Sequence, residues 1–302
     1  MTRTGLRDGR EARLPQPALL AGRLARKARP RRSIGAVTAI AFGWVGLLCL
    51  LAFVVQWLPV AEPQVSVAEP RLAPFVDWAH PLGADAQGRD ELSRLLYGAR
   101  ASIGISFVAM MIGLAAGTAV GVLAGYTRGK FDAFVGVITD AGLAFPGLVL
   151  IVGIAAVLGP GMQTLIIGLG AVSFPVFVRV ARANTLRFSA REFVHAAHLT
   201  GARTGRIITR ELLPNVIPPV FAYAIILMAT LITAEASLSF LGLGLQPPTP
   251  SWGNMIAEGQ YELASFPHLV FVPAAILALT VFSLNVIGDV IVRKFNAGDS
   301  KI

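Results

Sequence analysis

The chain has 302 residues, 55% of them hydrophobic and only 14% charged, with a mean hydropathy of +0.67. A soluble domain carries about a quarter charged residues, and here the apolar residues come in runs rather than amphipathic stripes, so the composition excludes an ordinary soluble fold and implies an all-α polytopic membrane protein. The net charge of +9 lies between the apolar runs and reads as topology, not nucleic-acid binding, while the single cysteine, Cys49, excludes an internal disulfide and a cysteine-based metal site.

Residues 1–33 form a basic tail rich in Arg, Ala and Pro, expected to be disordered and drawn to membrane lipids. Residues 34–58 are the first apolar run. At ~1.5 Å per residue it crosses a ~30 Å hydrocarbon core with some tilt, and its position after a long polar tail predicts an uncleaved span. Residues 59–95 form an acidic loop, and 96–292 the rest of the transmembrane core. The second run, Ala101 to Gly125, carries Gly113, Gly117, Gly121 and Gly125 at four-residue spacing, a bare face for close helix packing. The third runs from near Ala133 to Leu158 and holds Asp140. Gly159-Pro160-Gly161 is a turn that permits only a hairpin of helices. The fourth, Met162 to Val178, is slightly short, and Arg179 is placed to snorkel at its end. The fifth, about Val216 to Phe240, holds Glu235. The sixth, about Val270 to Val292, holds Asp289, at helical spacing from Arg293 for an ion pair. A short tail, 293–302, follows.

Six spans place both termini on one side. That side carries twenty-two Lys and Arg and the other four, so both termini are expected in the cytoplasm of a cell-membrane protein. Charged groups within spans must face protein or water. Asp140 and Glu235 lie towards opposite sides of the membrane and so make no common site. This argues against the alternative of an ion-coupled secondary transporter, which needs titratable groups near the midplane and an inverted repeat. Gly125 to Phe131 lacks the spacing and the Ser/Thr of a P-loop. His195 and His198 alone make a weak metal site, and no nucleophile sits with a base. The chain reads as a transport protein with no ATPase site, cofactor or metal of its own.

The most informative segment is the polar link from Arg179 to Leu212, with seven arginines. Glu192 to Leu199 is predicted helical. Phe193, Ala196, Ala197 and Thr200 fall at i, i+3, i+4 and i+7 and make a small, mildly apolar face. Gly201 suits a helix C-terminus, and Pro214 is expected to open the next span. Such a helix suits either a partner's groove or a lipid surface.

Ala196, Ala197, Gly201, Leu213 and Pro214 stand in the register of a known cytoplasmic signature, in which Glu-Ala-Ala is followed by three residues, Gly, nine residues, a hydrophobic position, any residue and Leu-Pro. His195 stands at the glutamate, with Glu192 nearby, and Glu211 at the hydrophobic position. His80-Pro81-Leu82-Gly83, Gly88-Arg89-Asp90 and Asp140 with Phe145-Pro146 precede this signature, and Ala234 to Gly244, Gln246 to Gly253 and Asn285 with Gly288-Asp289 follow. With these the chain resembles the second membrane subunit of binding-protein-dependent ABC importers of the dipeptide, oligopeptide and nickel group. The resemblance implies a type I ABC importer permease fold with six transmembrane helices and a coupling helix at about 190–202. It implies half of a translocation pathway, for peptides or a related small solute, built with a homologous permease subunit. It also implies two ATPase subunits that use ATP and Mg, and an extracytoplasmic solute-binding protein. The residues carried over for ATPase coupling are Glu192, Phe193, His195, Ala196, Ala197, Thr200, Gly201, Leu213 and Pro214. On the outer side, the 59–91 loop and the 246–252 loop, with Trp252 as a docking or interfacial residue, are expected to offer surface to the binding protein.

Overall fold

The computed structural model describes residues 35–299, a helical bundle without strands among those residues. The tail 1–33 and the last residues of the 293–302 tail lie outside the described residues. Helix α1, Ala36–Val54, is apolar throughout and ends in a single 3₁₀ turn, Val55–Trp57.

Helix α2, Glu91–Thr127, starts ten residues before its apolar run. The cause is local: the Asp90 carboxylate caps the first turn by accepting from the Ser93 N–H at 2.7 Å. At 37 residues, about 55 Å, α2 is longer than the hydrocarbon core, so its first turns stand beyond the apolar run. It ends at Arg128, whose φ of 55° breaks the helix before α3 begins at once with Gly129.

The predicted third span is two helices, α3, Gly129–Ala144, and α4, Gly147–Leu158, bent by 88°. Pro146 has no N–H to give back to residue 142 and pushes Phe145 into extended backbone, φ −80° and ψ 130°. Five helices are long and apolar enough to cross a membrane, and the bent pair makes up to six spans.

Helix α5, Met162–Ser189, does not stop at Val178. Arg179 donates to Asp140 of α3, and Arg182 forks onto Asp132 of α3, with one arm at 2.7 Å. These pairs tie α5 to α3 along the stretch where the helix runs on past Val178. The link is correspondingly short, with helix α6, Glu192–Leu199, inside it.

Pro214 stands in the first turn of the regular α-helix Leu213–Phe240, as expected, but the helical path starts earlier. Helix α7, Thr204–Phe240, begins ten residues earlier and contains a π-helical turn at Ile207–Leu212. Pro214 cannot donate to the preceding turn, and the wider π turn absorbs the defect. The Asn215 amide donates to the Glu211 carbonyl at 2.6 Å beside it. The loop after α7 contains an unexpected helix, α8, Trp252–Gly259, started by a capping box in which Ser251 and Asn254 bond each other's backbone N–H at 3.2 and 2.8 Å. Helix α9, His268–Asp299, closes the fold.

The bundle has two distinct ends. At the link end, Arg128 reaches Ser189 at 3.4 Å, which sets the α2–α3 junction level with the end of α5. At the loop end, the 58–90 segment folds over α8. Glu258 accepts from Arg89 at 2.6 Å and Arg94 at 2.9 Å, and Asp85 accepts from Arg89 at 2.5 Å. Arg94 is buried, and such pairs fix geometry more than they add stability. Further out, Arg71 donates to Glu262 at 2.6 Å, a bond that holds the Glu262 carboxyl below its ordinary range and raises Arg71.

Trp252 is neither a surface nor an interfacial residue. It is fully buried, with its indole N–H on the Leu95 carbonyl and its backbone N–H on the Ser102 hydroxyl, both at 3.2 Å. An aromatic of this size with a single donor favours an apolar slot with one acceptor at its end.

Candidate functional site

The α6 segment is built on a small core of its own. Val194, Ile207 and Leu212 are fully buried and packed by Tyr126, Phe188, Ala197, Ala202 and Ile208. One apolar residue per turn therefore ties α6 down and leaves the opposite face free. His198 fastens it further: its ring stacks on Tyr126 and Nε2 lies 3.3 Å from the phenol oxygen. The helix ends where Gly201 adopts φ 77° and donates to the His198 carbonyl at 3.0 Å, while Ala202 donates to Ala197 at 3.0 Å.

The free face borders an open groove of about 690 Å³. Phe193, Ala196, Ala197, Thr200 and Gly201 line it, as the helical spacing predicts. Glu192 and His195 are exposed but do not line it. Leu213 packs on the main core beneath, and Pro214 is exposed. Ala202, Arg203, Arg206 and Glu211 complete the groove. Glu211 is one of the two residues that depart from the signature, with His195, and it lies within the π turn that leads to this wall. The periodicity of α6 could not reveal that, because the register changes between the two helices.

The intramembrane carboxylates have separate surroundings. The Asp140 and Arg179 side chains form an ion pair yet stay 69% and 61% exposed. Asp132 and Arg182 pair below them. Glu235 is fully buried and accepts from the Ser239 hydroxyl at 2.7 Å, while its Oε2 has no hydrogen-bond partner among the described residues. Asp289 and Arg293 lie 3.5 Å apart, as their spacing predicts. The structure does not bring Asp140 and Glu235 together. Among the described residues no group of three or more His, Cys, Asp or Glu is placed to hold a metal ion.

The four glycines of α2 lie against α5. A Cβ on Gly113 would stand 2.0 Å from the Ser173 hydroxyl, on Gly117 2.7 Å from the Phe174 carbonyl, on Gly121 2.5 Å from the Val178 carbonyl and on Gly125 2.9 Å from the Arg182 carbonyl. The two backbones approach too closely for any side chain.

A family model described as the binding-protein-dependent transport system inner membrane component matches residues 117–298. A glutathione transport system permease protein GsiD of Pectobacterium atrosepticum is 35% identical over 260 residues, 86% of both chains, and the GsiD of an Escherichia coli O6:K15:H31 strain is 38% identical over 261 residues, again 86% of both. In fold, the chain is similar to the inward-facing MetNI methionine ABC transporter, with a TM-score of 0.56 and 23% identity over 67% of this chain and 96% of that one.

Proposed function

This chain belongs to the family of binding-protein-dependent transport system inner membrane components, and from that membership we infer how its parts work. It is a multi-pass inner-membrane permease subunit of an ATP-driven importer, a class that works with a partner permease, an ATPase and a solute-binding protein. In our reading one homologous permease completes the pathway and two ATPase subunits drive it, using ATP and Mg²⁺ that this chain does not bind. The link end and both termini face the cytoplasm, as the excess of Lys and Arg there favours. The solute is a small peptide, glutathione being the one named for the relatives.

The observation that carries the coupling role is α6: a short helix pinned on its own core, with a face of small residues left open on a groove rimmed by Arg203, Arg206 and Glu211. A rigid helix of this kind passes the motion of a docked ATPase to α5 and α7, which flank it in sequence. Uptake by the complex in vesicles tests the assignment. ATP should drive it, an ion gradient alone should not, and a thiol at Thr200→Cys should react with an impermeant reagent only from the cytoplasmic face. Uptake on an ion gradient without ATPase subunits, or labelling from the outer face, overturns it.

A further inference from the structure

At the loop end a cavity of about 40 Å³ lies between the 58–90 segment, the first turn of α2 and the end of α8. By the same measure about 10–15 Å³ is enough for one water-sized group. Asp85, Glu91, Arg94, Glu258 and Glu262 line it, and the exposed Gln87 shares the wall, so the cavity reaches the surface. Not all the acceptors on this wall are used. The Glu258 carboxylate spends Oε2 on Arg89 and Arg94, at 2.6 and 2.9 Å, while its Oε1 is buried with no hydrogen-bond partner among the described residues. Glu91 is only 2% exposed, and its Oε1 is unpartnered in the same way. Asp85, by contrast, accepts through both oxygens, from the Gln87 and Arg89 backbone N–H groups and from the Arg89 guanidinium. A buried carboxylate oxygen without a donor is costly, so the two free oxygens call for one.

Charge gives that donor its sign. Asp85, Glu91, Glu258 and Glu262 supply four negative charges to the wall, and Arg89, Arg94 and Arg71, which pair with them, supply three positive ones, so one negative charge is left over. Asp90, just outside, is taken up by His80 at 2.9 Å and by the Ser93 N–H. Size and donor pattern narrow the choice. Hard metal ions need oxygen ligands on all sides, and among the described residues no three acidic, His or Cys side chains are placed to hold one. An ammonium group is water-sized, carries one positive charge and brings only donors.

We propose that this cavity is a binding site for an ammonium group, accepted by Glu91 Oε1 and Glu258 Oε1 and supplied by a free ammonium ion or by a lysine of the solute-binding protein. The lysine source rests on the importer reading above; the free ion does not. Seated there, the charge balances the cluster and ties the 58–90 segment to α2 and α8.

The test uses the whole complex and has two arms. In the first, without binding protein, ammonium chloride should slow limited proteolysis of the 58–90 segment at least threefold relative to tetramethylammonium chloride at the same concentration, which matches the ionic strength but offers no N–H. Glu91→Gln, which keeps the volume and removes the charge, should have a thermal midpoint no lower than the parent and should lose that difference. In the second arm the binding protein is added before and after acetylation of its lysines. If a lysine is the source, acetylation should weaken binding to the parent at least tenfold more than binding to Glu91→Gln. A response in the first arm alone assigns the site to a free ion, in the second alone to a lysine, and in both to an ammonium group from either source. No response in either arm overturns the proposal, since a proton or a water then satisfies Glu91. Equal responses from Glu91→Gln and the parent overturn it too, since the ligand then sits elsewhere. A complex that binds no binding protein at all counts against the importer reading, and the first arm still decides the site.

Discussion

The imidazole of His198 lies parallel to the phenol of Tyr126, with ring centroids 6.3 Å apart and planes within 2°. Tyr126 is the next-to-last residue of α2 and His198 the next-to-last of α6, so this stack joins a membrane helix to the exposed link. Removing it should loosen the joint and not the fold, because Val194, Ile207 and Leu212 still anchor α6. Tyr126→Ala is expected to keep ATP hydrolysis while uptake per ATP falls several-fold; Tyr126→Phe, which keeps the stack, should lose less. Equal loss in both variants would assign the effect to the 3.3 Å polar contact instead.

Ala197→Arg puts a long cation where the groove wall meets the small core, and Gly201→Asp forces a β-carbon onto a backbone at φ 77°. The backbone term alone costs about 1 kcal/mol, far too little to unfold a six-span bundle. Both variants should insert normally, lose bound ATPase on purification and lose uptake at least tenfold. Undiminished ATPase in the purified complex would contradict the docking role of this face.

Which features were legible in the sequence follows from how local their causes are. The spans and the α6 face are set by apolar runs and by spacing within a single helix, and periodicity reads both. The extension of α5 past Arg179 depends on Asp132 and Asp140, roughly forty to fifty residues away, and no window around Arg179 contains them. Pro146 was visible, but its 88° consequence was not, since proline kinks vary with what packs around them. Trp252 was misread because its acceptors, Leu95 and Ser102, come from the far side of the chain. Its amphipathic helix is only eight residues long, too short for a pattern to stand out.

The glycine seam gives a sharper contrast. On Gly117 a Cβ meets the Phe174 carbonyl and the Phe177 Cβ, both at 2.7 Å, and both belong to a helix that cannot yield locally. Gly104, on the same helix, has nothing within 4 Å. Gly117→Ala should therefore separate α2 from α5, lower the thermal midpoint of the purified complex by several degrees and reduce assembly. Gly104→Ala should be neutral or slightly stabilising through helix propensity, worth up to about 1 kcal/mol. Similar midpoints for the two variants would mean that the close approach carries no stability.

The Arg71–Glu262 bond gives a pH dependence at the loop end. The Glu262 carboxyl is held below its ordinary range by the hydrogen bond from Arg71, and Arg71 is raised, so it stays charged throughout. A depressed carboxylate contributes above its unfolded pKa, about 4.3, and the contribution disappears as pH falls through the lower folded value. Limited proteolysis of the 58–90 segment should be unchanged from pH 7 to about 5 and should speed up below about 4. Glu262→Gln should cleave at pH 7 as the parent does in acid. The bond is solvent-exposed and screened, so the effect is confined to this strap and should shrink in high salt.

Glu235 poses the last question, whether a buried carboxyl in a transport protein serves solute or scaffold. Its neighbours favour scaffold. Ser239, one turn along α7, donates to it at 2.7 Å, and the adjoining Ala236 carbonyl presses against Gly253, where a Cβ would stand 2.2 Å away. The carboxyl thus sits where α7 meets α8, beneath the cap that Arg89, Arg94 and Glu258 tie down. Glu235→Ala empties that volume and strands the Ser239 hydroxyl, a change on the order of 2–4 kcal/mol by cavity and hydrogen-bond terms together. The thermal midpoint should drop and proteolysis near α8 should rise, while the relative uptake of competing peptides stays as in the parent. Glu235→Gln, which keeps both volume and acceptor, should recover most of the stability. A variant that folds as well as the parent but changes which peptides compete would show that Glu235 contacts the solute.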